Sequence, residues 1–141
     1  MPGRFKYEKL AKYPHLKPED VLIWERYINK YPNAFDSVDY DFAVGEGRPI
    51  PEGTQENIAA DMKILTQKKI DVIGYKGEEI YIIEVKPTAN TTALGQVISY
   101  AKLFQNQESP TEAIHMRVIA GNIDPDMQTI YDAQGIGVII V

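Results

Sequence analysis

The chain has 141 residues, a formal net charge of −5, no cysteine and two histidines, His15 and His115. The length suits one domain with a true hydrophobic core. The missing thiols exclude disulfides and thiolate-bound zinc, two distant histidines argue against a histidine-based metal site or a Ser-His triad, and the acidic balance argues against a strong nonspecific polyanion binder. No apolar run is long enough to span a bilayer, and the opening MPGRFKYEKL lacks a leader-like apolar core. The expectation is a cytoplasmic protein with no membrane partner.

In chain order, residues 1–17 read as a basic arm with aromatic punctuation, Phe5, Tyr7 and Tyr13. The arm holds five basic residues against Glu8 alone, a net of +4, whereas the rest of the chain has a net of −9. Such an arm can contact phosphates or be a solvated tail. Residues 18–141 then form one domain. Pro18, Glu19 and Asp20 open a helix to about Lys30, because proline suits the first turn and acids favour its positive end. Val21, Leu22, Ile28 and Trp24 form its apolar stripe, with Glu25 inside it. Residues 34–44 alternate, with Val38, Tyr40, Phe42 and Val44 on one face and Asp39 and Asp41 on a wet one. A turn-rich loop follows at 45–53, and 57–67 reads as either a short helix or a lead into the sheet.

Residues 69–86, KIDVIGYKGEEIYIIEVK, read as a β-hairpin turning at Lys76-Gly77. Three charges, Asp71, Glu84 and Lys86, interrupt its apolar strands. Glu84 and Lys86 share a face by strand parity. An even-numbered loop puts Asp71 on that face too: diagonal to Glu84 for two residues at Lys76-Gly77, opposite it for four. An odd loop would remove the site. Carboxylates that close are destabilising unless a cation lies between them, and a hard divalent ion such as magnesium is the simplest candidate. The plainer alternative is an edge-strand salt bridge from Lys86 to Glu84 or Asp71.

After Pro87, Thr91 or Thr92 caps a helix to about Gln107, with Ala93, Leu94, Val97, Ile98, Ala101 and Phe104 on its apolar face. Gln96 and Tyr100 lie one turn apart at the edge of that face. A short strand, MRVIA, a helix from Asp124-Pro125 to about Ala133, and a closing strand, IGVIIV, complete the chain. The last, continuously apolar, reads as covered on both faces. The order is helix, three strands, helix, strand, helix, strand, which predicts an α/β fold with a mixed sheet flanked by helices.

Asp71, then Glu84-Val85-Lys86 closing the next strand, then a helix carrying Gln96-x-x-x-Tyr100, resembles the PD-(D/E)xK (restriction-endonuclease-like) nuclease superfamily. The likeness covers roughly residues 18–121, with Ile70 where the family often has proline. It implies an α-β-β-β-α-β core and a metal-dependent nuclease that hydrolyses DNA phosphodiester bonds. Asp71 and Glu84 would ligate magnesium or manganese, with the Val85 carbonyl as a further oxygen and Glu25, at the family's helical glutamate, completing the shell. Lys86 would position or deprotonate the attacking water, and Gln96 and Tyr100 would orient the site or touch the substrate. Lys69, with Lys68, would contact phosphate or simply be solvated. The resemblance to small junction resolvases and phage or mobile-element nucleases implies duplex or branched DNA as partner, and a homodimer through the arm or the last strand. The alternative keeps the fold without catalysis, as a nucleic-acid-binding or assembly module.

Overall fold

The structure, a computed structural model, describes residues 3–141. Its elements are β1 (Phe5–Lys6), α1 (Pro18–Lys30), β2 (Ser37–Val44), α2 (Glu56–Thr66), β3 (Lys68–Lys76), β4 (Glu79–Ala89), α3 (Thr91–Glu108), β5 (Ala113–Ile123), a 3₁₀ turn (Pro125–Met127), α4 (Gln128–Ala133) and β6 (Ile136–Ile140). The six strands lie side by side in chain order. Pairs β1 to β4 are antiparallel, while β5 and β6 join in parallel after the α3 and α4 crossovers. The α/β architecture expected from the element order is therefore present, and the stretch left open between helix and strand is α2. Among the described residues no helix is long and apolar enough to cross a membrane.

Two apolar layers sandwich the sheet. Ile73, Ile82, Val97, Phe104 and Tyr131 pack between the sheet and α3 and α4. Trp24, Tyr27, Tyr40, Ile83 and Ile119 pack on the other face, under α1. Of the predicted arm, residues 1 and 2 lie outside the described residues. From Gly3 onward it is not a free tail: Phe5 and Lys6 pair with β2, and Tyr13 is buried in the α1 layer.

The helix α1 buries Asp20, Ile23, Trp24, Tyr27 and Ile28, while Leu22 is 61% exposed. Its inward stripe is thus turned from the one read in the sequence, because Trp24, whose Nε1 donates to the Tyr40 hydroxyl at 2.9 Å, sets the phase. The acid on the buried side is Asp20, with Glu25 at the margin.

Strand β2 does not alternate cleanly either. Val38 and Tyr40 join the α1 layer, whereas Phe42 and Val44 join the α3 layer. Asp41 between them has φ +53°, a left-handed conformation that reverses side-chain parity. Neighbouring β3 switches in step, with Ile70 in the α3 layer and Val72 in the α1 layer. Asp39 is not on a wet face: it is 5% exposed and accepts from the Tyr75 hydroxyl at 2.7 Å and the Arg4 backbone N–H at 3.0 Å.

The hairpin turns at Gly77-Glu78, one residue later than expected, with Lys76 paired to Glu79. Gly77 supplies φ +57°, and Asp36 holds the turn by accepting from the Gly77 N–H at 2.8 Å. Asn90, not Thr91 or Thr92, caps α3, its side chain accepting from the Ala93 N–H at 3.0 Å. The closing strand is the sheet edge, so it is covered incompletely: Ile136 is buried but Ile140 is 41% exposed.

Gly74 on β3 admits the Phe35 ring. A Cβ there would lie 2.5 Å from Phe35 Cδ1. Gly74→Ala is expected to destabilise the fold by about 1–3 kcal/mol, measured by urea denaturation.

Candidate active site

The β3–β4 ladder pairs Val72 with Ile83 and runs no further toward the N-terminus of β3. One step on, the same register sets Asp71 opposite Glu84. The strands part here, and the Val85 N–H donates to Asp71 Oδ2 at 3.0 Å. A carboxylate thus replaces a ladder carbonyl, which anchors Asp71 and brings it to Glu84.

Glu84 is only 2% exposed, in the middle of a central strand. Burial, reinforced by the charge of Asp71 and a hydrogen bond between the two carboxyl groups, pushes Glu84 up to about 10. Asp71 is also raised, mainly by burial, against the lowering effect of the Val85 N–H and of Glu84. The pair therefore holds a proton well above the ordinary carboxylate range. Glu84 Oε1 has no hydrogen-bond partner in the protein.

Lys86 is half-buried on the same strand, and its charge acts on Asp71, Glu84 and Asp20. Among the described residues it forms no ion pair within 4 Å with either carboxylate. The edge salt bridge is therefore not the arrangement adopted. From α3, Gln96 donates to Tyr100, whose hydroxyl is raised by burial and then by Glu84 and, more weakly, Asp71. Gln96 Oε1 is buried without a partner. Two orphaned oxygens thus accompany the carboxyl pair.

No family model and no curated protein matches the sequence. Two solved structures resemble the chain. One is an EndoMS–dsDNA2 complex, with a TM-score of 0.50 and 14% identity over 96% of this chain and 48% of that one. The other is a repair endonuclease from Pyrococcus abyssi, with a TM-score of 0.51 and 14% identity over 93% of this chain and 49% of that one. The fold is nuclease-like. The chain spans about half the length of each of these structures.

On this nuclease-like frame, the residues singled out in the sequence separate into two groups. Asp71, Glu84, Lys86, Gln96 and Tyr100 interact with one another. Glu25 instead accepts from the Tyr13 hydroxyl at 2.8 Å, and Tyr13, pushed up to about 12 chiefly by burial, is tied to α1 by this contact. Lys69 directs its ammonium at the carbonyls of Ile64, at 2.6 Å, and Gln67, at 3.0 Å, closing the C-terminal end of α2.

Two acids missed in the sequence belong with the first group. Asp20, 8% exposed in the first turn of α1, is raised by burial and then by the charge of Asp71, while Lys86 and Lys17 oppose the shift. Asp41 adds its charge to the environment of Asp71 and lies 3.4 Å from His15 Nε2. The signal for Asp20 was present: it precedes Ile23, Trp24, Tyr27 and Ile28 by three, four, seven and eight residues, the spacing of one helix face. Reading it only as a dipole-complementing acid hid that relation.

Proposed function

We propose that this chain is a metal-dependent nuclease of the PD-(D/E)xK type that hydrolyses DNA phosphodiester bonds. The observation that carries the reading is the buried Asp71–Glu84 carboxyl pair at the parting of two strands, beside an ammonium that neither carboxylate captures. A purely structural pair would be a costly device, because both carboxyl groups are held out of water. The nuclease-like fold and the DNA-bound and repair-enzyme neighbours support the choice of substrate.

The donor set fits a hard divalent cation. Asp71, Glu84 and the Val85 carbonyl would hold it, using the oxygen of Glu84 that has no protein partner. Among the described residues no group of three or more His, Cys, Asp and Glu side chains could hold a metal ion. Two carboxylates and a carbonyl are a donor set of the kind magnesium takes, its shell being completed by water and substrate phosphate. When bound, the ion would lower the pKa of a water and offset charge on the phosphate.

The chain's own residues account for the rest. Lys86 orients the attacking water and stabilises negative charge as its oxygen bonds to phosphorus and the bond to the departing sugar oxygen breaks. Tyr100, hydrogen-bonded to Gln96 and close enough to feel the charge of Glu84, orients the site or touches the substrate. Asp20 reaches the same charge cluster from α1 and takes, through a water rather than as a direct ligand, the part that the resemblance gave to Glu25. Asp20→Asn should slow cleavage about 10- to 100-fold. Glu25→Gln should leave the rate nearly unchanged and cost only about 1 kcal/mol of stability through its Tyr13 bond. Cleavage rates and urea melts on the two variants separate these roles, and the reverse ranking would return the part to Glu25.

The overall reading is tested by calorimetric titration of magnesium and manganese into the wild type and Glu84→Ala, followed by incubation with plasmid and a four-way junction. Binding and cleavage in the wild type, both lost in the variant, are expected. Metal binding without cleavage of either DNA would favour a binding or assembly module, and no metal binding would end the metal-centre reading.

A further inference from the structure

On the α1 face, away from the carboxyl pair, a cavity of about 340 Å³ opens between the C-terminal half of α1 and strands β4 to β6. Aromatic rings from Tyr27, Tyr31, Phe35 and Tyr81 share its lining about equally with aliphatic side chains, Ile83 among them. The rings are braced against one another: Phe35 and Tyr81 have centroids 5.4 Å apart, and Tyr27 and Tyr31 5.0 Å. One charged group enters this lining, Arg117 of β5. Its guanidinium carbon lies 5.1 Å from the Tyr81 ring centroid, and Nη1 donates to the Met116 carbonyl at 2.9 Å.

Arg117 lies across β6 because residue 137 is glycine. A Cβ there would come within 2.7 Å of Arg117 Cδ and 2.9 Å of Nε. Among the described residues Arg117 makes no ion pair, so no carboxylate neutralises it. Lys30 stands over the Tyr31 ring at 5.5 Å, adding a second positive charge at the rim. A cavity that offers flat apolar walls, hydrogen-bond donors without a carboxylate and positive charge selects a planar ring with acceptors on its edge and an attached anion. Tyr81 is already stacked on His115 at 4.8 Å, but stacking on Tyr27, Tyr31 or Phe35 suits any base, and a guanidinium pairs best with the O6 and N7 acceptors of guanine.

We propose that this cavity binds a guanine nucleotide, either free or as an unpaired base of a nucleic acid. The inference deepens the reading of the chain as an enzyme of DNA, and rests on that reading only for the nucleic-acid source of the base. None of Asp71, Glu84 or Lys86 lines the cavity. Binding here is therefore separable from catalysis.

The single tryptophan provides the readout. Trp24 stacks on Tyr27, centroids 5.5 Å apart at 17°, so occupation of the cavity should alter its fluorescence. Wild-type protein in chelator is titrated with dGMP, dCMP, inorganic phosphate, and duplexes with or without one unpaired dG. A saturable response to dGMP that exceeds that to dCMP is expected. It should weaken about tenfold or more in Arg117→Met, which keeps the bulk and removes the donors. Gly137→Ala retains the guanidinium but displaces it, and should weaken binding likewise, with thermal melts checking that both variants fold.

A response to the duplex with unpaired dG, but not to the fully paired one, assigns the base to nucleic acid. A response to dGMP alone assigns it to a free nucleotide. No response to any nucleotide, equal affinity in wild type and Arg117→Met, or a full response to phosphate alone would overturn the proposal. Because no divalent cation is present, these outcomes do not depend on whether the chain cleaves DNA.

Discussion

Glu84→Gln is expected to lower metal-dependent cleavage by at least about a thousandfold, equivalent to roughly 4 kcal/mol of barrier, and to change how stability depends on pH. The second effect follows from the buried proton. In the unfolded chain Glu84 ionises near its ordinary value of 4.5, whereas in the folded, metal-free protein it keeps its proton to about 10. Between those values the folded state binds more protons than the unfolded one, so stability falls as pH rises. The contribution is complete below pH 4.5 and gone above about pH 10. Glu84 by itself gives a slope of at most about 1.4 kcal/mol per pH unit, and Asp71, raised in the same direction, adds its own share. Glutamine cannot titrate, so the variant should lose most of this slope while Asp71 retains its share. Urea melts from pH 5 to 9 in chelator measure it. A wild-type slope unchanged by the substitution would mean that Glu84 ionises freely in the fold. Magnesium should also stabilise the wild type more at the alkaline end, where less proton must be displaced from the pair, and should not stabilise Glu84→Gln.

Lys86→Met should reduce the cleavage rate about 100- to 10,000-fold while leaving metal affinity within a few-fold of wild type. Methionine preserves the length and apolar stem of lysine, so the loss isolates the ammonium. The site carries little that could replace it: Lys17 belongs to the segment before α1, as does His15, which faces Asp41. Single-turnover rates at saturating DNA separate chemistry from binding. If Lys86→Met cleaves as fast as wild type, Lys86 only balances the charge of the acids. In that case metal binding, rather than the rate, should change.

The two variants probe groups whose partnership is legible in the sequence. Strand parity put Glu84 and Lys86 on one face, and an even hairpin loop was enough to bring Asp71 there. The loop is even, but the turn sits one residue later than the Lys76-Gly77 reading, since Asp36 grips the Gly77 N–H from a segment more than thirty residues away in sequence. That shift moves Asp71 from diagonal to opposite Glu84. It brings the two carboxyl groups close enough for each to act on the other's ionisation. Gln96 and Tyr100 were legible for a similar reason: an interval of four residues on a helix is one turn wherever the helix packs.

Glu25 and Lys69 show where local pattern is insufficient. Both have the right chemistry, yet Tyr13 engages one and the open end of α2 engages the other. Neither partner has a pattern linking it to these residues in the sequence. Asp39 is the converse case, a residue whose spacing implied solvent and whose hydrogen bonds from Tyr75 and Arg4 bring it inside.

By itself the sequence determined the α/β class, the order of most elements, the hairpin and the common face of Glu84 and Lys86, with Asp71 joining that face for an even loop. These follow from periods of two and 3.6 residues and from turn chemistry, all set by nearest neighbours along the chain. Tertiary structure alone decided that Asp20 lies within reach of the charges of Asp71 and Lys86 while Glu25 pairs with Tyr13, that β2 and β3 exchange faces at Asp41 and Asp71, and that Arg117 reaches a cavity beneath α1. Each depends on the rotation or offset of one element against another. That alignment is chosen by long-range contacts such as Trp24 with Tyr40, Phe35 with Gly74 and Arg117 with Gly137, whose energies have no counterpart in local spacing.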